Sequence, residues 1–477
     1  MDTKSSMLRR VRASNTANRL KIPKKGRIRA ILVFAGLLVV WRVFSGGKSA
    51  GPEESSAGKP GSGAPVADAG EQKKKQSKPR SPVKKKNERI SFENVGHLLK
   101  KYPPPRFAAR DTLHFKKESW IVHYSLDTVL QQFGKKLFRR YHPQYGAAVA
   151  IEPSTGKIRG LLCFTHDSAA FLGNDLYGKS IYPAASIFKT ITASAALEKA
   201  NMTPSSCIKL TGRRYTLYNF QLEENLDNFK DISLSEAFAY SINPVFGRIG
   251  IYRTGGYELQ QYARRFGFES SVPFELAVEK SRVMQCDSSF CVAELASGFN
   301  QQTTMSPIHG ALIASAVAAG GAMPFPRLVD SISDCTTGTI YYSAASSTWK
   351  QPVTAATAAQ LRTMMTRVAR NGTARSSFRY MRNSFRFKDV EYGGKTGSVD
   401  KDGLGKVDWF VGFACHDRDP RQRIAVSVVT VHNANWTVHS SYIGAELMRR
   451  YIRNIQLHDE KQKELAEKEG SGVKSEG

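Results

Sequence analysis

The chain has 477 residues, of which 41% are hydrophobic and 10% aromatic, an ordinary composition for a globular protein of one or two domains. Its net charge of +29 is high, but residues 1–90 hold 22 Lys and Arg against 6 Asp and Glu, a net of 22 − 6 = +16, which leaves 29 − 16 = +13 for the remainder. Because most of the excess lies in a terminal segment and not on a folded face, the charge argues against a nucleic-acid-binding protein.

The first ninety residues divide into three segments of different chemistry. Residues 1–29 carry ten Lys and Arg and a single acid, Asp2, and residues 30–44 are apolar except for Arg42. This order predicts a cytoplasmic basic tail and a single-pass transmembrane anchor, with the rest of the chain on the extracytoplasmic side of the cell membrane. A cleaved signal peptide is the alternative, since the uninterrupted apolar part is short. Residues 45–90 are rich in Gly, Ser, Pro and Lys and predict a disordered linker.

Strand and helix patterns begin after the linker. The small N-terminal segment, residues 91–144, contains helical spacing over 125–141. Two apolar runs, 147–151 and 158–164, flank a Pro-Ser-Thr-Gly turn and predict a hairpin. Helical patterns then recur at residues 186–200, 234–249, 257–266, 308–319 and 354–370.

The end of the chain is rich in strand patterns. GGKTGS, DWFVGFAC and residues 423–432 predict strands, residues 442–455 predict a helix, and residues 459–477 form a charged tail that we expect to be frayed. The order is strands, many helices, strands, then one helix. It predicts an α+β fold in which an antiparallel sheet from both chain ends is flanked by helices, with a helical subdomain inserted between them.

Six cysteines are spread over the chain, and only Cys286 and Cys291 are close in sequence. The sequence is compatible with a disulfide between them and equally with two free buried thiols. There is no pair of CxxC motifs, so no structural zinc site is predicted, and no other metal or cofactor motif is recognised.

One serine–lysine pair stands out in the segment YPAASIFKT. Ser186 and Lys189 are three residues apart, so on a helix they share one face. The same spacing recurs elsewhere, for example at Ser347 and Lys350, and is by itself a weak signal. Here the pair lies at the start of an apolar helix, where the side chain of Ile187 would exclude water from the first turn. A desolvated lysine has a lowered pKa and can serve as the base for a serine nucleophile.

Two further clusters supply what such a pair lacks. In AYSINP, Ser241 is placed to relay a proton to a leaving group, and Asn243 to bind a substrate amide. In GGKTGS, Lys395 offers a cation for a carboxylate, and the strand edge that continues through Gly397 and Ser398 can pair with an extended peptide. Each cluster alone is more often an ordinary turn or loop, but the three in this order form a joint signal.

These motifs resemble the SxxK, SxN and KTG set of the penicillin-binding transpeptidases and their β-lactamase relatives. The resemblance covers about residues 145–455 and extends to YGAAVAIEPSTGKIRGLL, ISLSEAFAYSINPVF, TTMSPIHGALIASAVAAGG and VDWFVGFAC. It implies a DD-peptidase-like fold over residues 145–458.

The resemblance also implies roles for the motif residues. Ser186 would be the acyl-enzyme nucleophile and Lys189 its base, with an oxyanion hole formed by the backbone N–H groups of Ser186 and Ser398. The residues of the second and third motifs that would relay protons or bind substrate are Ser241, Asn243, Lys395, Thr396, Gly397 and Ser398. The implied substrate is the D-Ala-D-Ala end of a peptidoglycan stem peptide, and β-lactams would acylate the same serine without metal or cofactor.

Some features depart from the family pattern. Asn300 in GFNQQTTMSP stands where a glycine is common, and residues 45–144 are too few for a glycosyltransferase domain, so a separate glycosyltransferase is an expected partner. Three alternatives stay open: a DD-carboxypeptidase, a class D-like β-lactamase, and a non-catalytic module that binds the cell wall or senses β-lactams. A class A β-lactamase is disfavoured, because its ExxLN glutamate has no counterpart between Pro244 and Gly394.

Overall fold

The computed structural model describes residues 89–104, 108–115, 118–166, 175–433 and 435–472. Over these residues the strands are, in chain order, β1 (Arg110–His114), β2 (Ser119–Tyr124), β3 (Tyr145–Ile151), β4 (Ile158–Thr165), β5 (Tyr182–Pro183), β6 (Cys207–Leu210), β7 (Lys230–Ser233), β8 (Thr304–Met305), β9 (Met323–Pro324), β10 (Val329–Asp334), β11 (Ile340–Ser343), β12 (Thr348–Lys350), β13 (Val390–Lys401), β14 (Gly405–His416) and β15 (Arg423–His432).

The α-helices of the same residues are α1 (Phe92–Lys101), α2 (Thr128–Tyr141), α3 (Lys189–Lys199), α4 (Asn219–Leu222), α5 (Leu234–Ala239), α6 (Asn243–Ile249), α7 (Gly255–Arg265), α8 (Ser289–Ser297), α9 (Pro307–Ala318), α10 (Ala355–Asn371), α11 (Arg379–Asn383) and α12 (Ser440–Gly472). Short 3-10 turns cover Ala185–Phe188, Phe385–Phe387 and Pro420–Gln422, and a π-helical turn covers Gly250–Thr254.

The central sheet has five antiparallel strands in the order β13–β14–β15–β3–β4. Its middle strands are nearly continuous apolar runs because helices cover both faces. Phe410 packs against Gly444 of α12, whereas the next residue, Val411, packs against Gly310 of α9. Since successive side chains of a strand point to opposite faces, α9 and α12 lie on opposite sides of the sheet. The predicted sheet from both chain ends, with a helical part inserted between them, is confirmed.

A second antiparallel sheet, β1–β2–β10–β11, is absent from the sequence-based expectation. In it Val122 of β2 stands opposite Ile332 of β10, so the segment before the hairpin shares a sheet with residues 329–334. These strands have four to six residues and a mixed apolar and polar pattern, which gives little period-two signal.

The pattern at residues 234–249, interpreted as one helix, is interrupted in the structure. Helix α5 ends at Ala239 and α6 begins at Asn243, and between them Ser241 has a left-handed backbone with φ of 57°. Pro244 lies in the first turn of α6, where its missing N–H costs nothing. The single-helix prediction is therefore wrong.

The last helix is longer than predicted. α12 starts at Ser440 and continues through the charged segment to Gly472, so the expected fraying from residue 459 is not seen up to that point. Exposed pairs such as Lys463 and Glu467, whose Nζ and Oε1 atoms are 3.9 Å apart, occupy successive turns there.

The predicted basic tail (1–29), the anchor (30–44) and almost all of the linker (45–90) lie outside the described residues. No helix among the residues that are described combines the length and apolar character needed to cross a bilayer.

Near the start of α8, the sulfur atoms of Cys286 and Cys291 are 2.6 Å apart.

Candidate active site

The tight turn before α3 carries Ser186. The segment just before this turn is fixed by Trp409, whose buried indole N–H donates a hydrogen bond of 2.8 Å to the carbonyl of Pro183. Ala185 has a left-handed backbone with φ of 47°, which is costly for a residue with a Cβ and is typical of functional turns. Ser186 is only partly buried and lines a cavity of about 280 Å³.

Lys189 is fully buried at the first position of α3. Its Nζ lies 2.7 Å from Ser186 Oγ, 2.7 Å from Asn243 Oδ1 and 2.5 Å from the carbonyl oxygen of Ser297. Burial lowers the pKa of Lys189 well below its usual value, and the nearby charge of Lys395 lowers it further.

These three contacts determine what the Lys189 amine can do. The carbonyl of Ser297 can only accept, and Asn243 presents its oxygen because its Nδ2 donates to the carbonyl of Tyr215 at 3.1 Å. A neutral amine has two N–H groups, which these two acceptors occupy. Its lone pair then faces the hydroxyl of Ser186, so the arrangement can accept the serine proton.

Lys395 forms a second buried pair with Ser241. Its Nζ donates to Ser241 Oγ and to the carbonyl of Thr396, both at 2.8 Å, and its side chain is completely buried. Burial lowers the pKa of Lys395 to about 7. The left-handed backbone of Ser241 at the break between α5 and α6 turns this hydroxyl toward β13, 154 residues further along the chain.

The edge of β13 forms one wall of the cavity. Gly397 lies so close to the turn that carries Ser186 that a Cβ on it would be 3.1 Å from the backbone nitrogen of Ser186. Thr396 Oγ1 is 2.6 Å from the hydroxyl of Thr373, and Ser398 lies further along the same wall. β13 pairs only with β14 among the described strands, so its other edge is available to an extended peptide.

The structure thus brings together all eight residues predicted for the site: Ser186, Lys189, Ser241, Asn243, Lys395, Thr396, Gly397 and Ser398. The residues that line the same cavity and were not predicted are Tyr215, Gly298, Phe299, Thr373, Asp408, Trp436, His439 and Ser441. Asp408 belongs to the segment VDWFVGFAC, for which the sequence predicted a strand but no residue of the site. Its buried carboxylate accepts a hydrogen bond from the backbone N–H of Ser440 at the start of α12, and burial raises its pKa to about 7.

Asn300, the departure from the family pattern, has a structural role in the loop after α8. Its side-chain oxygen accepts from the backbone N–H of Thr303 at 2.8 Å, and its amide nitrogen donates to the carbonyl of Glu294 at 3.3 Å. Asn300 therefore closes this loop with its side chain.

An antiparallel sheet, an inserted helical part and, at their junction, a partly exposed serine beside a buried lysine are the features of the serine-dependent transpeptidases and hydrolases. The family model described as penicillin binding protein transpeptidase domain matches residues 146–452, more than half of the chain. The chain belongs to this family.

The chain is also similar to individual curated proteins. Peptidoglycan D,D-transpeptidase PbpA of Mycobacterium tuberculosis is 33% identical over 241 residues, which are 44% of this chain and 48% of that protein. Stage V sporulation protein D of Bacillus subtilis is 26% identical over 349 residues, 69% of this chain and 50% of that protein. The chain therefore spans about half the length of the curated relatives it matches.

Among solved structures, PBPA from M. tuberculosis aligns with a TM-score of 0.55 and 25% identity, covering 70% of this chain and 80% of that one. The same protein as a penicillin G acyl-enzyme complex aligns with a TM-score of 0.54, 25% identity and the same coverage.

Proposed function

We propose that this protein is a peptidoglycan DD-transpeptidase that cross-links stem peptides through an acyl-enzyme on Ser186. The observation that carries the proposal is the buried amine of Lys189, whose Nζ lies within hydrogen-bonding distance of two acceptors, Asn243 Oδ1 and the carbonyl oxygen of Ser297, and 2.7 Å from Ser186 Oγ. Relatives named peptidoglycan D,D-transpeptidases and the acyl-enzyme complex with penicillin G support the same reaction class.

The first half-reaction forms the acyl-enzyme. Ser186 Oγ attacks the carbonyl carbon of the penultimate D-Ala, and its proton passes to Lys189 Nζ. The oxyanion accepts hydrogen bonds from the backbone N–H groups of Ser186 and Ser398. The C–N bond then breaks, Ser241 relays a proton to the leaving amine, and D-Ala departs. Lys395 and Thr396 bind the terminal carboxylate, and Asn243 binds the donor amide.

The second half-reaction resolves the ester. An amine from a neighbouring stem peptide attacks the acyl carbon, the ester bond to Ser186 Oγ breaks as the new amide forms, and the proton lost by the amine passes through Lys189 to Ser186 Oγ. If water were the acceptor, the protein would be a DD-carboxypeptidase or a β-lactamase.

The assignment of the nucleophile is tested with a fluorescent penicillin. We expect Ser186→Ala to abolish covalent labelling, and Ser347→Ala to leave it intact, because Ser347 belongs to an exposed SxxK segment outside the cavity. Labelling that persists in Ser186→Ala would refute the proposal, and labelling lost in both variants would point to misfolding.

The acyl acceptor is tested by the lifetime of the penicilloyl adduct and by product analysis on polymeric peptidoglycan. An adduct that survives for hours and cross-linked products are expected of a transpeptidase. Turnover in seconds would indicate a β-lactamase, and release of D-Ala without cross-links a carboxypeptidase. Normal penicillin labelling without any product would indicate a sensing or wall-binding module.

We further propose the arrangement of the whole chain: a cytoplasmic tail (1–29), an anchor (30–44), a linker (45–90), a small segment (91–144), the catalytic domain (145–458) and a charged tail (459–477). The charge and apolar pattern of the first 44 residues support it. Membrane sheets washed with alkaline carbonate should retain the protein, and release by the wash would refute the anchor. A glycosyltransferase partner would co-purify after cross-linking in membranes.

A further inference from the structure

A second cavity of about 510 Å³ adjoins the catalytic one. Phe299 and Ser398 line both cavities, so the two are neighbours along the edge of β13. The second cavity continues past Ser398 to Val399 and Asp400 on one side and to Gln301 and Gln302 on the other. A peptide paired with the free edge of β13 and attached to Ser186 would therefore extend into it.

The wall of this cavity opposite β13 carries Glu294 of α8, which is half-buried. Among the described residues, no hydrogen bond or ion pair reaches its carboxylate. Its backbone carbonyl, by contrast, accepts from Phe299 N at 2.9 Å and from Asn300 Nδ2 at 3.3 Å. The backbone of Glu294 is thus held by these hydrogen bonds, while its carboxylate has no partner in the described part of the chain.

Burial is also the only cause that raises the pKa of Glu294, since no nearby cation offsets it. The one lysine that lines the cavity, Lys406, has its Nζ 3.8 Å from Asp400. A partly desolvated carboxylate without a counter-ion in a cavity is typical of a ligand-binding group.

We propose that Glu294 binds a cationic side chain of the acyl-donor peptide, in the part of the peptide that runs past Ser398, and so selects donors with a free amine. This inference rests on the proposed function, because it takes the donor to be attached at Ser186. The ammonium would supply the missing charge partner of Glu294, and Gln302, which lines the same cavity, has a side-chain oxygen that can accept from it. Glu294 is a specificity residue in this scheme and takes no part in the chemistry at Ser186.

The test uses two penicillins that differ only in their acyl side chain, which ends in a free amine or in the acetylated amine. We expect the full-length protein to be acylated at least about fivefold faster by the free amine, as for an ion pair that is partly shielded from water. Glu294→Gln should remove this preference and leave acylation by the acetylated compound unchanged. Asp400→Asn is the matched control, since Asp400 is 82% exposed and already near Lys406, and it should keep most of the preference.

Several results would overturn the inference. Equal rates for the two penicillins in the natural protein, or a preference that survives in Glu294→Gln, would exclude the donor assignment. If penicillin does not label Ser186 at all, the proposed function fails. In that case calorimetric binding of Lys-D-Ala-D-Ala and of its ε-acetylated form to the Ser186→Ala variant decides on Glu294 independently, since the inference requires tighter binding of the free amine.

Discussion

Lys189 Nζ and Ser186 Oγ lie 2.7 Å apart across one helical turn, with the lysine fully buried and the serine open to the cavity. In the proposed reaction the pair therefore combines a base held away from water with a nucleophile that a substrate can reach. This contrast in burial, more than the spacing, gives the pair its chemistry, because burial is the main cause of the lowered pKa of Lys189.

The pH dependence of acylation should follow from Lys189. The amine acts as a base only when neutral, so the rate constant for acylation by a penicillin should fall as the pH drops through the lowered pKa of this lysine. Lys189→Met should reduce the rate about 10²- to 10⁴-fold, the usual contribution of a general base. Lys189→Arg should not restore it, since the guanidinium stays charged. A rate that rises only near pH 10 would contradict a neutral lysine.

Lys395 should lower the stability of the folded protein at neutral pH. Its pKa is about 7 in the folded protein, whereas the pKa of an ordinary exposed lysine, as in the unfolded chain, is 10.5. Between these two pH values the unfolded chain binds more protons than the folded protein, so the free energy of unfolding rises with pH. The slope is at most about 1.4 kcal/mol per pH unit. Urea unfolding between pH 7 and 9 should show a flatter slope for Lys395→Met, together with weaker acylation. The exposed Lys230→Met variant should keep the slope of the natural protein, and an unchanged slope in Lys395→Met would contradict the burial of a titrating amine.

Two glycines with the same backbone angle provide a matched test of close packing behind the nucleophile. Gly298 and Gly320 both have φ of 67°, but a Cβ on Gly298 would lie 1.9 Å from the carbonyl oxygen of Ala185, whereas nothing lies within 4 Å of one on Gly320. Gly320→Ala should cost only the left-handed backbone penalty, about 1 kcal/mol. Gly298→Ala should cost at least ~2 kcal/mol more in urea unfolding and should slow acylation, since the turn of Ser186 must move. Equal costs would show that the turn yields easily.

Asn243 should affect catalysis through Lys189 as well as through the substrate. Its Oδ1 accepts from Lys189 and its Nδ2 donates to Tyr215, so Asn243→Ala leaves one N–H of the buried amine without a partner. We expect acylation by a small penicillin to slow by about 10-fold or more, the equivalent of ~1.4 kcal/mol, with an altered pH profile. The exposed Asn225→Ala variant should react at the natural rate. A slower rate with an unchanged pH profile would restrict Asn243 to substrate binding.

The sequence alone was sufficient to select eight residues that the structure brings together, and to predict most regular elements near them. The hairpin β3–β4, the helices α9 and α10 and the strand β15 appear within a few residues of their predicted ranges, because apolar periodicity is a local property. Local patterns also explain the errors. Apolar spacing continued across residues 234–249 and concealed the break at Ser241, and charge in the last segment did not prevent α12 from continuing.

Tertiary structure alone decided the state of the site. Lys189 contacts Asn243, which is 54 residues away in the sequence, and the carbonyl of Ser297, which is 108 residues away. A sequence motif indicates neither a main-chain acceptor nor the burial that shifts a pKa. The same holds for Glu294, whose single charge is unremarkable in the sequence. Only the tertiary structure places that carboxylate, with no partner among the described residues, at a cavity that Ser398 also lines. Residue types thus determined which chemistry was possible, and long-range packing determined which of these groups are buried and which are paired.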